Sequence, residues 1–256
     1  MVTAISKIIA EKLPKIPFGF CSVKDIEKPK ATRLNKNGLN TAIMFAFPYK
    51  VKENPPKNLS RYAAVSDYHE IIIPTLKELA FSLAALYPDF SFSAYADYSP
   101  ILEVPAASLA GLGVVGKNGL LITKEYGSFV FLGEILCDIP YENTNEKITA
   151  CTDCGLCLAA CPVGLKKDEC LSALTQKKGE LSTLEAQKIR LTASCFGCDI
   201  CQNACPKNKG VKDTEITEFL QSYRDEFVLG EDTKNRAYTW RGEAVVTRNY
   251  NILKNK

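Results

Sequence analysis

The chain has little that would direct it into a membrane or out of the cell. No apolar run reaches the ~20 residues that a membrane-spanning helix needs. Residues 1–7 show neither a secretory pattern nor a twin-arginine motif. With 32 basic and 29 acidic residues, the net charge is only +3, and no long run of one sign indicates a polyanionic partner. We predict a soluble, cytoplasmic protein with no membrane partner.

Cysteine, by contrast, is abundant. Nine of the eleven cysteines fall between Cys151 and Cys205, and only Cys21 and Cys137 lie outside that interval. A secreted disulfide scaffold would be shorter and would spread its cysteines along the chain. Clustering at two- and three-residue spacings therefore indicates metal ligation in a reducing compartment. Cys21 and Cys137 stand in apolar, strand-like sequence and are predicted to be buried thiols.

The clustered cysteines form the same array twice. Three thiolates two residues apart can wrap a tight loop around three corners of a cubane, while a fourth, followed by proline, reaches the other cluster. Zinc ribbons use Cys-x2-Cys pairs about 15–20 residues apart instead of two such tetrads. The pattern therefore predicts two [4Fe–4S] clusters rather than zinc. The arrays, each with the spacing Cys-x2-Cys-x2-Cys-x3-Cys-Pro, are Cys151, Cys154, Cys157 and Cys161, and Cys195, Cys198, Cys201 and Cys205.

Nine cysteines compete for eight ligand positions. Spacing within the second array favours Cys195 as the last ligand, but Cys170 is the alternative, and the residues alone leave both open. Cross-ligation assigns one cluster to Cys151, Cys154, Cys157 and Cys205 and the other to Cys161, Cys198 and Cys201 with Cys195 or Cys170.

Apolar periodicity predicts regular elements before the arrays. Stripes at three- and four-residue steps indicate helices at 4–13, 67–86 and 103–112, and Pro74 predicts a kink or an early break in the second. Apolar or alternating runs indicate strands at 41–47, 92–96, 120–123 and 128–136. We expect an α+β protein with an α/β domain at 1–145, a cluster-binding module at 146–212, and a helical segment and tail at 213–256.

Three blocks of sequence resemble the epoxyqueuosine reductases, the cobalamin and iron–sulfur enzymes of queuosine-tRNA biosynthesis, and more distantly the reductive dehalogenases. The first block is RYAAVSDYH at 61–69. The second contains DYSPILE at 97–103, AGLGVVGKN at 110–118 and GSFVFLGE at 127–134. The third is the cysteine region, with CLSALT at 170–175 and FGCDICQ at 196–202.

The resemblance implies a fold and a chemistry. The N-terminal domain would be a nitroreductase-like α/β domain that binds cobalamin, followed by a bacterial two-[4Fe–4S] ferredoxin-like module, in a short form without C-terminal helical repeats. The clusters would relay electrons from a donor such as a ferredoxin or flavodoxin to the corrinoid. The substrate would be a modified tRNA or a small organic molecule.

The resemblance also implies roles for single residues. Asp97 matches the family's proton donor, with an aspartate that caps the helix near Glu103 as the alternative. Cys170 takes the fourth ligand position in place of Cys195. His69 is the only histidine and lies in no base-replacing signature, so the corrinoid is expected base-off; the histidine either packs near the cofactor or is a hydrogen-bonded residue in the first turn of a helix. The expected cofactor contacts are Arg61, Asp67, Tyr68, His69, Gly111, Gly113, Gly116, Lys117, Asn118, Leu121, Gly127, Ser128 and Leu132.

The alternative functions are an electron carrier without an active site and a reductive activator of another corrinoid enzyme. A dinucleotide site at the three glycines between 111 and 116 is disfavoured, because a helical segment precedes them and no acidic residue follows about 20 residues later. The sequence departs from the family pattern at Ala64, Val65 and Val114.

Overall fold

The computed structural model describes residues 1–27, 38–143 and 151–255, whose contacts divide the chain into two compact units. Unit 1 comprises Met1–Pro48, His69–Lys124 and Val130–Cys151, and unit 2 comprises Tyr49–Tyr68, Glu125–Phe129 and Thr152–Lys256. The predicted domains are contiguous, whereas these units interleave, because the early segment of unit 2 hydrogen-bonds to its late segment. The Ser60 N–H, for example, donates to the Phe196 carbonyl at 3.0 Å. The predicted boundary at 145/146 lies outside the described residues.

The two units differ in their elements. The strands of unit 1 are β1 (Phe18–Ser22), β2 (Thr41–Pro48), β3 (Phe92–Tyr95), β4 (Val114–Val115), β5 (Leu121–Ile122) and β6 (Val130–Cys137). Its helices are α1 (Val2–Lys12), α2 (His69–Leu86) and α3 (Glu103–Leu109). The helices of unit 2 are α4 (Leu156–Ala160), α5 (Leu171–Thr175), α6 (Thr183–Thr192), α7 (Ile200–Asn203), α8 (Thr217–Ser222) and α9 (Glu243–Lys254).

A four-stranded sheet in the order β1-β2-β6-β3 forms the centre of unit 1. β2 and β6 pair from Thr41 opposite Cys137 to Pro48 opposite Val130, and every residue of β2 is buried. All the pairs in this sheet are antiparallel. The chain is therefore α+β, as predicted, but the description of its N-terminal domain as α/β is corrected, because parallel strands define that class.

The two faces of the sheet are covered by different helices. Gly133 of β6 faces α2, where an added Cβ would lie 2.7 Å from Ile72 Cγ2. Successive side chains of a strand point to opposite faces, so Glu134 points to the other face. There Leu136 packs in one apolar cluster with Ala106 and Ala107 of α3. The register of β6 thus places the carboxyl group of Glu134 in the apolar layer between the sheet and α3.

Unit 2 is organised around an aromatic cluster. Phe196, Phe227 and Tyr238 are each only 1% exposed. The ring centroids lie 5.8 Å apart for Phe196 and Tyr238 and 5.9 Å apart for Phe227 and Tyr238, in edge-on contacts. Helix α6 starts at a capping box, in which Ser182 and Glu185 satisfy each other's backbone N–H groups.

Most predicted elements are present with shifted ends. The predicted helix at 67–86 begins at His69 and runs 18 residues through Pro74, so the predicted early break is wrong. Pro74 removes only the donor for the carbonyl of Glu70, in the exposed first turn, and the helix continues past it. The helix predicted at 103–112 stops at Leu109, and Gly111 then takes φ +81°.

The two isolated cysteines are buried thiols, which confirms that prediction. Cys21 is 0% and Cys137 1% exposed, and burial raises their pKa values to about 12 and about 11. No helix formed by the described residues has the length and apolarity that crossing a bilayer requires. The cytoplasmic location stays a prediction.

Candidate active site and cluster ligands

Asp97 stands in the turn that joins β3 to α3. Its backbone is left-handed, with φ +67°, and its side chain is 70% exposed. A left-handed residue other than glycine costs about 1–2 kcal/mol. The Asp97 N–H donates to Glu103 Oε1 at 2.9 Å, and a hydrogen bond to a charged acceptor contributes about 1.5–3 kcal/mol. Glu103 therefore holds the backbone of Asp97, and the Asp97 carboxyl stays exposed to solvent, where a substrate could reach it.

His69 lies beside this carboxyl. Its Nε2 is 3.9 Å from Asp97 Oδ2, and its side chain is 40% exposed. At this distance a protonated imidazole attracts an ionised Asp97, and a single intervening water would connect the two groups. The structure thus brings together the predicted proton donor and the only histidine, which the sequence had placed 28 residues apart.

Glu103 is backed by a second carboxyl group, Glu134. Glu134 is 0% exposed, and within the described residues neither of its oxygens has a hydrogen-bond partner of standard geometry. Burial, followed by the neighbouring Glu103, raises the pKa of Glu134 well above its usual range. Burial also raises the pKa of Glu103, although the Asp97 N–H opposes that shift. Such a pair keeps a proton at a pH where exposed glutamates have lost theirs.

The glycine-rich segment forms the β4–β5 hairpin. A Cβ at Gly113 would overlap the carbonyl of Ile122, and one at Gly116 would overlap the Asn118 side chain. Close approach within the hairpin therefore accounts for both glycines. Gly111 is exposed at the surface, and Leu121, the first residue of β5, is buried.

Lys117 contacts a cluster cysteine through its backbone. The Lys117 N–H donates to Cys151 Sγ at 3.3 Å, and the Cys151 N–H donates to the Val115 carbonyl at 3.2 Å. The Lys117 side chain is exposed. An N–H aimed at sulfur stabilises negative charge on a thiolate.

Other residues that were predicted to contact the cofactor instead make hydrogen bonds within unit 2. The Arg61 guanidinium donates to the Lys52 carbonyl at 2.6 Å and the Arg61 N–H to Asp199 Oδ2 at 2.7 Å. Ser128 is buried, and its N–H donates to Asn208 Oδ1 at 2.8 Å. Four further predicted contacts lie in this unit or in β6. The Asp67 N–H donates to the Asn235 carbonyl, and a Cβ at Gly127 would overlap Asn208. Leu132 packs against the core on the α3 face, and Tyr68 is half-buried.

The two cysteines that compete for one ligand position differ in surroundings. Cys170 is exposed just before α5. Burial is the main cause that raises the pKa of Cys198, and Asp199, Cys201 and Cys170 add to the shift in that order. Cys195 is 0% exposed within the aromatic cluster of unit 2, and burial raises the pKa of its thiol to about 12. The structure thus groups Cys170, Cys198 and Cys201 electrostatically and holds Cys195 in an apolar environment.

The remaining thiols suit iron ligation in their chemistry. The cysteines of the arrays other than Cys195 are half-buried or exposed. Burial raises the pKa of Cys198 to about 12, so this thiol would become a thiolate at neutral pH only with a bound metal. In the described parts of the chain, no three His, Cys, Asp or Glu side chains are grouped to hold a single metal ion.

Comparison with known proteins identifies the family. A family model described as epoxyqueuosine reductase QueG, DUF1730, matches residues 32–98, and a 4Fe-4S double cluster binding domain matches residues 150–208. The epoxyqueuosine reductase of Lactococcus garvieae is 32% identical over 255 residues, which cover 88% of this chain and 72% of the relative. The chain belongs to the epoxyqueuosine reductase family.

Two further relatives extend this result. The epoxyqueuosine reductase of Listeria monocytogenes is 35% identical over 239 residues, 83% of this chain, but the chain spans only 62% of that relative's length. The structure of epoxyqueuosine reductase from Streptococcus thermophilus superposes with a TM-score of 0.80 at 28% identity, over 99% of this chain and 80% of that one. The predicted family, the oxidoreductase class and the two [4Fe–4S] clusters are confirmed.

Sequence reasoning assigned no role to Glu134 and considered Glu103 only as the start of a helix. The available signal was an acidic residue within the apolar strand VFLGEILC. The alternation of that strand, combined with its pairing, is needed to show that the carboxyl faces α3 rather than solvent. The Asp97 side chain does not cap α3, because the N-cap is Leu102 and Asp97 bonds to Glu103 through its backbone N–H.

The buried pair makes stability depend on pH in a definite direction. The folded-state pKa of Glu134 is raised above the ordinary value of 4.5, so the folded protein binds this proton more tightly than the unfolded chain does. The stability that Glu134 contributes is fully present below about pH 4.5 and is lost as the pH rises through the folded-state pKa. Glu134→Gln should therefore flatten the decline in the free energy of unfolding between mildly acidic and neutral pH.

Urea unfolding followed by circular dichroism over a pH series measures this slope. Glu78→Gln, which changes an exposed glutamate of α2, is the matched control and should keep the wild-type slope. A Glu134→Gln slope equal to that of the wild type would mean that Glu134 is ionised in the folded protein.

Proposed function

We propose that the chain is a cobalamin-dependent iron–sulfur reductase that acts as an epoxyqueuosine reductase, with Asp97 as its proton donor. The observation that carries this proposal is the placement of Asp97: its exposed carboxyl lies 3.9 Å from the only histidine while its backbone is fixed by Glu103. Reductive cleavage of a C–O bond leaves negative charge on oxygen, and a positioned acid neutralises it. A bound corrinoid would supply the reductive bond cleavage, with electrons delivered through the clusters.

The residues of the chain would divide the work as follows. The Asp97 carboxyl would give a proton to the oxygen of the substrate. His69 Nε2, 3.9 Å away, returns a proton to Asp97 between turnovers. Glu103 keeps the Asp97 backbone in the conformation that presents the carboxyl.

The described residues fit a base-off corrinoid. His69 is the only histidine, and its imidazole is beside Asp97, so the chain would offer no second imidazole to a bound corrinoid. The exposed Gly111 and Lys117 of the hairpin segment, together with Asn118, are the groups that would hold the corrin periphery. Arg61 and Ser128 would act through the loops that they order. The nitroreductase-like description of this domain, its range of 1–145 and the ranges 146–212 and 213–256 remain part of the proposal.

For the clusters we propose the ligand sets implied by the family. The electrostatic grouping of Cys170 with Cys198 and Cys201 supports Cys170 as a ligand, and the apolar environment of Cys195 supports its exclusion. The Lys117 N–H would stabilise the Cys151 thiolate. The first set is Cys151, Cys154, Cys157 and Cys205, and the second is Cys161, Cys170, Cys198 and Cys201.

The proposed substrate is a modified tRNA. A solved epoxyqueuosine reductase, 23% identical to this chain, is described in complex with an epoxyqueuosine-modified tRNA-Tyr stem loop. A small organic molecule is the second candidate. The proposed electron donor is a ferredoxin or flavodoxin, since each of the two clusters accepts single electrons.

Asp97→Asn tests the proposed acid. Asparagine tolerates the left-handed backbone, so the variant should keep its iron and its bound cobalamin while turnover falls by about 10²–10⁴. Turnover of an epoxyqueuosine-containing stem loop, iron content and corrinoid retention through gel filtration are measured together. Asp89→Asn, an exposed aspartate of unit 1, is the control and should behave as the wild type.

An Asp97→Asn enzyme with the wild-type rate would make Asp97 structural. Wild-type protein that loses cobalamin on the column would favour the electron carrier, and one that retains cobalamin but leaves the stem loop unchanged would favour a paralogue or a reductive activator.

A pair of alanine variants tests the disputed ligand. Cys170→Ala should lose or convert one cluster, because it removes an iron ligand. Cys195→Ala should keep the full iron and sulfide content, because it only shortens a buried side chain by one sulfur. Iron, acid-labile sulfide and EPR spectra after anaerobic reconstitution decide the matter. The opposite pattern would make Cys195 the ligand, as spacing alone favours.

A further inference from the structure

Glu134 is a buried acid that the proposed reaction does not use. Its carboxyl lies on the α3 face of the sheet, is 0% exposed, and has no hydrogen-bond partner of standard geometry among the described residues. Ionised, it would carry an uncompensated charge in an apolar layer, which is strongly unfavourable. The group therefore stays neutral or shares its charge with a neighbour, and Glu103 is the carboxyl beside it.

Glu103 connects this buried acid to the surface. It is the first residue of α3, it interacts with Glu134 on its inner side, and it accepts the N–H of Asp97 at 2.9 Å on its outer side. A carboxylate accepts from both an N–H and a carboxylic O–H more strongly than a neutral acid does. One proton for the two carboxyl groups satisfies both neighbours, with the hydrogen on Glu134 and the negative charge on Glu103.

We propose that Glu103 and Glu134 share one proton and act as positioning residues that hold Asp97 in its left-handed conformation. This inference rests on the proposed role of Asp97 as the acid. In this arrangement the Glu134 O–H would turn toward Glu103, and the Glu103 carboxylate would stay turned toward the Asp97 N–H. Neither glutamate touches the substrate.

The charged and titratable groups around the pair agree with a single shared charge. Asp97 and His69 face Glu103 from outside, and the two have opposite effects on its titration. Cys21 of β1 faces Glu134, and its thiol stays neutral because burial is the main cause that raises its pKa to about 12. Ser99 also contacts Glu134. A second negative charge here would be repelled by Asp97, so loss of the shared proton should loosen the turn.

Amide hydrogen exchange of the reconstituted holoprotein tests the arrangement without relying on turnover. In the peptide containing Asp97, Glu103→Ala should raise the exchange rate by about ten- to a hundred-fold, because it removes the charged acceptor. Glu103→Gln keeps an acceptor oxygen and should restore most of the protection. Equal exchange in wild type, Glu103→Ala and Glu103→Gln would overturn the proposal.

Glu134 variants test the shared proton. Glu134→Gln still donates to Glu103, so protection at Asp97 should persist and should no longer weaken as the pH rises. Glu134→Leu removes the donor and should increase exchange at every pH. Identical exchange in Glu134→Gln and Glu134→Leu would contradict the shared proton. If Glu134→Leu fails to fold, the pH dependence of protection in Glu134→Gln decides, and a dependence equal to that of the wild type would contradict the shared proton.

The pH profile of kcat separates this inference from the proposed function. If both hold, Glu134→Gln shifts the alkaline limb of the profile while Glu78→Gln does not. If Asp97 is not the acid, the expected differences in amide exchange remain, but Glu134→Gln does not shift the pH profile of kcat.

Discussion

The cysteine-bearing segments of unit 2 are built from helices that are too short to be stable alone. Helices α4 and α5 have five residues each and α7 has four, whereas isolated helices need about 12–15 residues to be even marginally stable in water. The aromatic cluster around Phe196 and Tyr238 supports this unit on one side, but the array cysteines other than Cys195 lie half-buried or exposed. Iron–thiolate bonds at the proposed ligands would therefore be the constraint that fixes these segments, in the way that metals replace a core in small domains.

Unit 1, in contrast, is stabilised by a buried apolar core. Its central strands are almost wholly buried, so each side chain must fit an apolar layer. Glu134 is the exception, and its burial makes sense only if it keeps a proton and has a neighbour to share it with. That neighbour, Glu103, begins α3 and binds the backbone of Asp97. The burial of Glu134 is thus linked, through Glu103, to the backbone conformation of Asp97 at the surface.

The sequence was most informative where local spacing sets the chemistry. The two arrays predict the clusters because cubane ligation is a property of a short loop, and the apolar runs predict β2 and β6 because strand burial is periodic. Features that depend on distant segments could not be read in this way. The partner of Glu134, the hairpin packing of Gly113 and the internal bonds of Arg61 need the sheet register or the late segments of unit 2. Residue order alone also gave contiguous domains, whereas Ser60 and Phe196 join segments far apart in the chain.

The central claim is that electrons stored in the clusters reduce the substrate. Two reduced [4Fe–4S] clusters hold two electrons, which is the requirement for removing one epoxide oxygen as water with two protons. The most direct measurement mixes pre-reduced, corrinoid-loaded protein with an epoxyqueuosine-containing stem loop, without other reductant, and follows cluster absorbance and nucleoside product together. The account predicts that both clusters become oxidised as one deoxygenated nucleoside forms per chain. Clusters that stay reduced, or that become oxidised without product, would contradict it.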